Sequence, residues 1–320
     1  MLAILALTIP IYVAIAAGYI TTRMGLFSRA DMRVLGTFVV NIALPCLLFL
    51  AVGSRDIGEI LNPTYAGAYA IGSLLTFTIA WAYARRVERA PTTGAAFYGM
   101  AMTCPNSGFI GYPVLLLALP SVAGVVLGLN MLVENLVTIP LVLALAERGA
   151  GSKEGWWQEV RETFARLIRN PMVVGILLGL VVSILGVSLP AVLTRAVDLF
   201  SRAATAVALF AVGGLLVGLP LRGMGRQLSA VTLGKLVLHP AAVAGVLWVL
   251  VRLGLPQLSA QMQAALVLSA AMPVFTVYPV LAQKYGQERV ASAGLLASTA
   301  TSFITLSALL FALRGITGTG

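Results

Sequence analysis

Runs of about 20 apolar residues recur along this chain, each long enough to cross a hydrocarbon core as a helix. They fall at 2–22, 34–53, 64–84, 93–119, 121–146, 171–189, 197–219, 229–252, 261–284 and 289–313, ten spans in all. Short stretches carrying proline, glycine or a few charges separate them. The first run has no basic segment before it and is long enough to span, so it reads as a membrane helix rather than a cleaved signal. Only the connection from Glu147 to Asn170 is long. Within it Trp156, Trp157, Val160, Phe164, Leu167 and Ile168 recur at helical spacing, with Glu159, Arg161, Glu162 and Arg166 on the other face. That pattern predicts an amphipathic helix lying at the membrane surface.

Composition agrees with the spans. The 320 residues are 59% hydrophobic and 10% charged, with a mean hydropathy of +0.97, whereas soluble chains run near 25% charged. The net charge of +10 does not mark a nucleic-acid surface, because the basic residues stand singly or in small groups between spans. They are unevenly shared. One set of connections holds Arg23, Arg29 and Arg33, then Arg85, Arg86 and Arg89, then Arg148, Lys153, Arg161, Arg166 and Arg169, then Arg222, Arg226, Lys284 and Arg289. The opposite set holds Arg55, Arg195, Arg252 and Arg314. This asymmetry makes the first set cytoplasmic. It predicts a multi-pass protein of the cell (inner) membrane with both termini on the non-cytoplasmic side. Cys46 and Cys104 both lie inside apolar spans and carry no redox information.

Two spans are interrupted. The fourth contains Thr103-Cys104-Pro105-Asn106-Ser107-Gly108-Phe109-Ile110-Gly111-Tyr112-Pro113, which cannot continue a helix undisturbed. The ninth contains Met272-Pro273-Val274-Phe275-Thr276-Val277-Tyr278-Pro279. Broken helices are tolerated in lipid only where protein buries them or water reaches them. The two breaks occupy matching places. Tyr112-Pro113-Val114-Leu115 matches Tyr278-Pro279-Val280-Leu281, Leu48-Phe49 matches Leu209-Phe210, and Val142-Leu143-Ala144-Leu145 corresponds to Leu310-Phe311-Ala312-Leu313. The common separation is roughly 160 to 170 residues, and five spans on each side of the long connection put the halves in opposite orientation, as in an inverted repeat. The expected organisation is 1–146 as a first five-helix repeat, 147–170 as a cytoplasmic linker helix and 171–320 as a second repeat. The fold class is therefore all-α polytopic, with broken fourth and ninth helices crossing at the midplane. Breaking a helix exposes amide N–H groups at one half-helix start, which suit an anion, and carbonyls at one half-helix end, which suit a cation.

At these residues the chain resembles a bacterial member of the auxin efflux carrier family. The carrying features are Asn41-Ile42-Ala43-Leu44-Pro45 with Leu48-Phe49, then Asn106-Ser107-Gly108-Phe109-Ile110-Gly111-Tyr112-Pro113, and Glu134-Asn135 followed by Thr138-Ile139-Pro140. The resemblance covers the whole ten-span layout. It implies the fold of the wider bile-acid/sodium symporter group, with helices 1, 2, 6 and 7 as a scaffold and helices 3–5 and 8–10 as a core. It implies secondary transport of small organic anions, such as malonate, malate or auxin-like acids, by an elevator-like movement of the core. One departure stands out: Val274 and Phe275 follow the first proline of the ninth span, where some relatives carry a second polar residue.

The candidate substrate contacts are Pro105, Asn106, Ser107, Gly108, Pro273, Val274, Phe275, Thr276, Tyr278, Asn41 and Pro45. Asn106 is the foremost; its amide either binds a substrate carboxylate or caps the outer half-helix. Ser107 and Thr276 rank lower, since hydroxyls in membrane helices often bond back to their own carbonyls. Glu134, near the middle of the fifth span, costs about 2.5–3.5 kcal/mol to insert and so must face protein or water. It is the candidate proton carrier or Na⁺ ligand, with Asn130 and Asn135 beside it; the structural reading is a carboxyl bonded to one of those asparagines or to a neighbouring helix. His239 reads as a packed histidine, Lys235 as a side chain snorkelling to the cytoplasmic edge, and Asp198 with Arg202 as a local ion pair. Gly124/Gly128, Gly175/Gly179 and Gly214/Gly218 permit close helix approach, within the chain or across a homodimer of scaffold helices.

No HExxH, GxSxG or GxxxxGK[ST] motif occurs, so neither an enzyme nor a nucleotide-driven pump is indicated, and no cofactor or metal is expected. The competing reading to a secondary transporter is a passive anion channel or uniporter, which would need a continuous polar lining.

Overall fold

Prolines and caps set the limits of the helices in the computed structural model, which describes residues 2–53, 62–150, 169–186, 189–219, 225–283 and 285–317. The membrane helices are α1 (Leu2–Arg23), α2 (Arg29–Gly53), α3 (Pro63–Arg86), the half-helices α4a (Thr92–Thr103) and α4b (Ser107–Ala118), and α5 (Ala123–Gly149). The second half supplies α6 (Pro171–Leu185), α7 (Ala191–Leu215), α8 (Gly225–Arg252), the half-helices α9a (Ala260–Ala270) and α9b (Tyr278–Gln283), and α10 (Glu288–Ala312). A short turn, Arg314–Thr317, follows. These segments coincide with the ten expected spans. The amphipathic stretch 156–168 lies outside the described residues.

Polar side chains start several helices by accepting orphan N–H groups. Asn62 accepts from the Tyr65 N–H, Asn170 from Met172 and Ser259 from Met262. Ser28 and Asp31 form a reciprocal capping box at the start of α2. The Ser28 N–H donates to the Asp31 carboxylate at 2.8 Å.

Among the described residues, four helices widen locally into a π turn: Val39–Ala43 in α2, Ser107–Gly111 in α4b, Glu134–Thr138 in α5 and Gly234–Leu238 in α8. Each turn is centred four residues before a proline, namely Pro45, Pro113, Pro140 and Pro240. A proline offers no N–H to that carbonyl and its ring clashes with it; a wider turn relieves both faults without ending the helix. Glu134 and Lys235 each sit inside one of these turns.

The helices pack in two groups. In the first, α1 lies against α7, α6 against α2, and α7 against α2. Glycine makes these approaches possible: a side chain at Gly18 would strike the Phe210 carbonyl, and one at Gly213 would strike that of Ile15. Gly175 and Gly179 face the carbonyls of Pro45 and Phe49, so this glycine pair packs α6 onto α2 within the chain. In the second group α3 lies between α8 and α4a, α4a packs on α5, and α10 contacts α8 and α9b. Gly72 opposes the Val243 backbone and Gly99 the Phe77 ring.

Large apolar side chains remain exposed on the outer faces, among them Leu178, Ile184 and Leu185 of α6, Val192 and Leu199 of α7, and Ile304 of α10. Among the described residues six helices are long and apolar enough to cross a membrane, and Ser107–Ala118 and Pro171–Leu185 are shorter apolar helices. The molecule is an all-helical, multi-pass membrane protein.

Candidate functional site: the crossing of two broken helices

Both half-helix junctions are extended where they meet. Pro105 and Val274 form an antiparallel β-bridge. The Asn106 N–H donates to the Pro273 carbonyl at 2.8 Å, and the Phe275 N–H donates to the Cys104 carbonyl at 3.2 Å. The Val274 N–H donates to the Ser298 hydroxyl of α10 at 3.2 Å. These bonds satisfy backbone groups that the breaks would otherwise strand in a buried setting. The Asn106 carbonyl accepts from the Ile110 and Gly111 N–H groups and so starts α4b.

Side chains tie the same place together. Asn106 Nδ2 donates to Thr276 Oγ1 at 2.8 Å, linking the two breaks; its side chain makes no cap bond to α4b. Thr276 acts as acceptor across the crossing and does not bond back to its own helix. Ser107 Oγ donates to Glu134 Oε1 at 2.6 Å, and Tyr69 OH donates to the same oxygen at 2.8 Å. The buried carboxylate on α5 is thus held from α4b and α3. Asn130 accepts from Tyr65 OH at 2.9 Å instead. Asn135 donates to the Met131 carbonyl and accepts from Asn170 at the start of α6. Neither asparagine bonds to Glu134.

Other candidate positions serve the surroundings. A Cβ at Gly108 would come within 2.9 Å of Leu44 on α2, so glycine lets α4b approach the first helix group there. Tyr278 OH donates to the Phe97 carbonyl at 2.8 Å, fixing α9b to α4a. Pro45 faces α6. Asn41 donates to the Thr37 carbonyl and lines a cavity of about 360 Å³ between α2, α7, α9b and α10. Phe109 and Thr276 form its inner end, while Arg29, Arg33, Gln283 and Glu288 stand at the other. Its size lies in the range of small-molecule sites.

A second polar cluster lies behind the crossing, and Lys235 overturns its expected position. Instead of snorkelling, Lys235 is fully buried; it lies ten residues into α8, about 15 Å along the axis. Nζ donates to the Ala270 carbonyl, the last residue of α9a, at 2.6 Å and lies 2.8 Å from His239 Nδ1. His239 Nε2 is 3.0 Å from Ser73 Oγ on α3. No ion pair joins Lys235 to Glu134, both of which are described residues. Asp198 and Arg202 do pair, at 2.6 Å on the exposed face of α7.

The sequence reading passed over Tyr65, Tyr69 and Ser73. Their signal was available as a polar stripe at four-residue spacing in an otherwise apolar helix. Lys235 also carried a signal, since a lysine ten residues inside a span is too deep to reach the interface without a partner.

Crossed half-helices in a multi-pass bundle, with a cavity leading to them, define the chain as a membrane transport protein. Residues 3–310 match the family described as "Membrane transport protein", and the chain belongs to that family, the auxin efflux carriers. It is 29% identical over 313 residues to a "Putative malonate transporter" of Rhizobium meliloti (strain 1021), covering 97% of this chain and 96% of that protein. It is 25% identical over 238 residues to "Uncharacterized transporter YfdV" of Escherichia coli (strain K12), 73% of this chain and 75% of that one. An "Uncharacterized transporter" of Methanothermobacter thermautotrophicus is 32% identical over 107 residues, 32% of this chain and 34% of that one.

Proposed function

We propose that the chain is a secondary active transporter of small organic anions, mono- or dicarboxylates of the size of malonate, working by elevator-type alternating access. The observation that carries this reading is the buried crossing at Pro105 and Val274 with Asn106 and Thr276 across it, reached by a cavity with Arg29 and Arg33 at its opposite end. The start of α4b offers N–H groups and the positive end of a helix dipole to a carboxylate. The second N–H of the Asn106 amide adds a side-chain donor, while the Ser107 hydroxyl is committed to Glu134. Arg29 and Arg33 raise the local concentration of anions. The likeness to the "Putative malonate transporter" of Rhizobium meliloti supports a dicarboxylate as the first compound to try.

In this reading α1, α2, α6 and α7 are the static scaffold, and α3–α5 with α8–α10 are the moving core. Residues 1–146 and 171–320 are the two inverted repeats, joined by 147–170 at the cytoplasmic face. The glycine-mediated contacts inside the first helix group suit a rigid scaffold. The arginine end of the cavity is cytoplasmic by the charge asymmetry, which leaves both termini outside. Glu134 couples substrate to protons, because Ser107 joins it directly to the presumed anion-facing turn.

Proteoliposomes holding the purified chain should take up labelled malonate saturably, and Asn106→Ala should abolish that uptake while the protein stays folded. Wild-type uptake in the Asn106→Ala variant would remove the crossing as the binding site. A channel reading predicts instead ionic conductance in a planar bilayer that does not saturate with malonate.

A further inference from the structure

Helix α9a ends at Ala270, in the middle of the bundle; the Ala271 and Met272 N–H groups serve the carbonyls of Val267, Leu268 and Ser269, and that of Ala270 is left to a side chain. Such an end carries partial negative charge and suits a cation. The position is already filled. Lys235 Nζ, with its side chain fully buried, reaches the Ala270 carbonyl at 2.6 Å. His239, equally buried, lies 2.8 Å away through Nδ1. Both acceptors are served if the ammonium donates to the carbonyl and to Nδ1 while His239 Nε2–H donates to Ser73 Oγ. The 3.1 Å approach of Nδ1 to the Ala270 carbonyl is then a contact between two acceptors, both served by the same ammonium.

The local chain is shaped to bring Lys235 there. It sits in the π turn before Pro240, which rotates its side chain relative to a regular helix. The preceding Gly234 lies against Met102 of α4a, where a side chain would collide. A buried ammonium is costly to desolvate, and its partners here are a helix-end carbonyl and an imidazole rather than a carboxylate. These are the neutral oxygen and nitrogen donors that a small free cation would also use.

We infer that Lys235 is a tethered cation at the carbonyl end of the broken ninth helix, holding the place of a free monovalent cation, so that this chain binds no Na⁺ there. The inference deepens the transporter reading, since it assigns the cation half of the crossing to a side chain. It does not depend on the identity of the transported acid.

The test uses the full chain, purified in detergent and in proteoliposomes, as wild type, Lys235→Ala and Lys235→Met. Melting temperature is measured at constant ionic strength in choline chloride, then with NaCl or propylammonium chloride replacing choline. The wild type should show no saturable rise with either cation. Lys235→Ala should melt lower and recover saturably with Na⁺ or propylammonium, because removing the stem leaves the carbonyl end open. Lys235→Met, whose apolar stem fills the same space, should melt lower without recovery. Malonate uptake by the wild type should be unchanged when choline replaces Na⁺.

Saturable stabilisation of the wild type by Na⁺, or uptake that requires Na⁺ with Lys235 in place, would overturn the inference. So would a Lys235→Ala protein that responds to the cations no differently from wild type. If Lys235→Ala does not fold, the wild-type titration alone decides, and it decides even if no acid is transported; absence of transport would count against the proposed function only.

Discussion

The two broken helices share one backbone solution and differ in chemistry. Each supplies a proline, a carbonyl and an N–H to the bridge, so their main chains are near equivalents. Their side chains are not. The α4 break carries Asn106 and Ser107, and through Ser107 it reaches a carboxylate, Glu134. The α9 break carries Val274 and Phe275, and its preceding half-helix ends on an ammonium, Lys235. Two crossing breaks need matching backbones, because unsatisfied amides cannot be left in a bundle. They do not need matching side chains. On the proposed reading, the first break is the side that reads a substrate carboxylate and the second the side that is neutralised internally.

The largest expected effect tests that asymmetry directly. Asn106→Ala and Thr276→Val remove opposite ends of one hydrogen bond. If substrate is read from the α4 side, Asn106→Ala should lower uptake by about 5- to 150-fold, the size of a lost buried polar contact of about 1–3 kcal/mol. Thr276→Val should cost clearly less. Equal losses in radiolabelled uptake would mean that the pair matters only as a clamp between the breaks.

Glu134 provides the next contrast. Glu134→Ala leaves the Ser107 and Tyr69 hydroxyls without their acceptor and should destabilise the protein by about 1–3 kcal/mol for each unpaired group. Glu134→Gln keeps an acceptor oxygen and should fold nearly as well. If Glu134 carries the coupled proton, the Gln variant should also lose the dependence of malonate uptake on an imposed pH gradient. Retained dependence would assign the carboxylate to structure alone.

Tyr278→Phe is smaller and local. It removes the bond from α9b to the Phe97 carbonyl and should cost about 1 kcal/mol by melting, with malonate affinity little changed. A large change in affinity would show that the second break also shapes the site.

The smallest effect lies at the rim, outside the crossing. Arg226 on α8 holds Glu88, just beyond α3, at 2.9 Å, and this bond draws the Glu88 carboxyl below its usual range. A depressed carboxylate stabilises the folded state above the unfolded value near 4.3 and loses that contribution as pH falls through the folded value. Glu88→Gln should therefore lower the melting temperature slightly at neutral pH and at low salt. The difference should vanish in strong acid and shrink in high salt.

Much of this was legible in the residue string. Apolar run lengths placed all ten spans, because crossing lipid imposes one length on every helix. Proline and asparagine inside the fourth and ninth runs marked the breaks, since a helix cannot pass through them unchanged. Asn106 stood out for the same reason. Glu134 stood out because a carboxylate in mid-span must have partners. The partners themselves were not legible. Asn130 and Asn135 are its neighbours in sequence, yet Ser107 and Tyr69 hold it. Lys235 was misplaced because a lysine stem can reach the interface from some depths, and its actual partner is a backbone carbonyl, a group every residue has.

The sequence by itself determined the class of fold, the number of spans and the sites of interruption. Each follows from local chemistry, through hydrophobic length, missing N–H groups and the cost of mid-span charge. Only the tertiary structure decided that the two interruptions pair through Pro105 and Val274, that Asn106 meets Thr276 about 170 residues away along the chain, and that Lys235 closes the carbonyl end of α9a. Those outcomes depend on which buried donors and acceptors the packed helices bring within about 3 Å of one another, and spacing along a single helix does not carry that information.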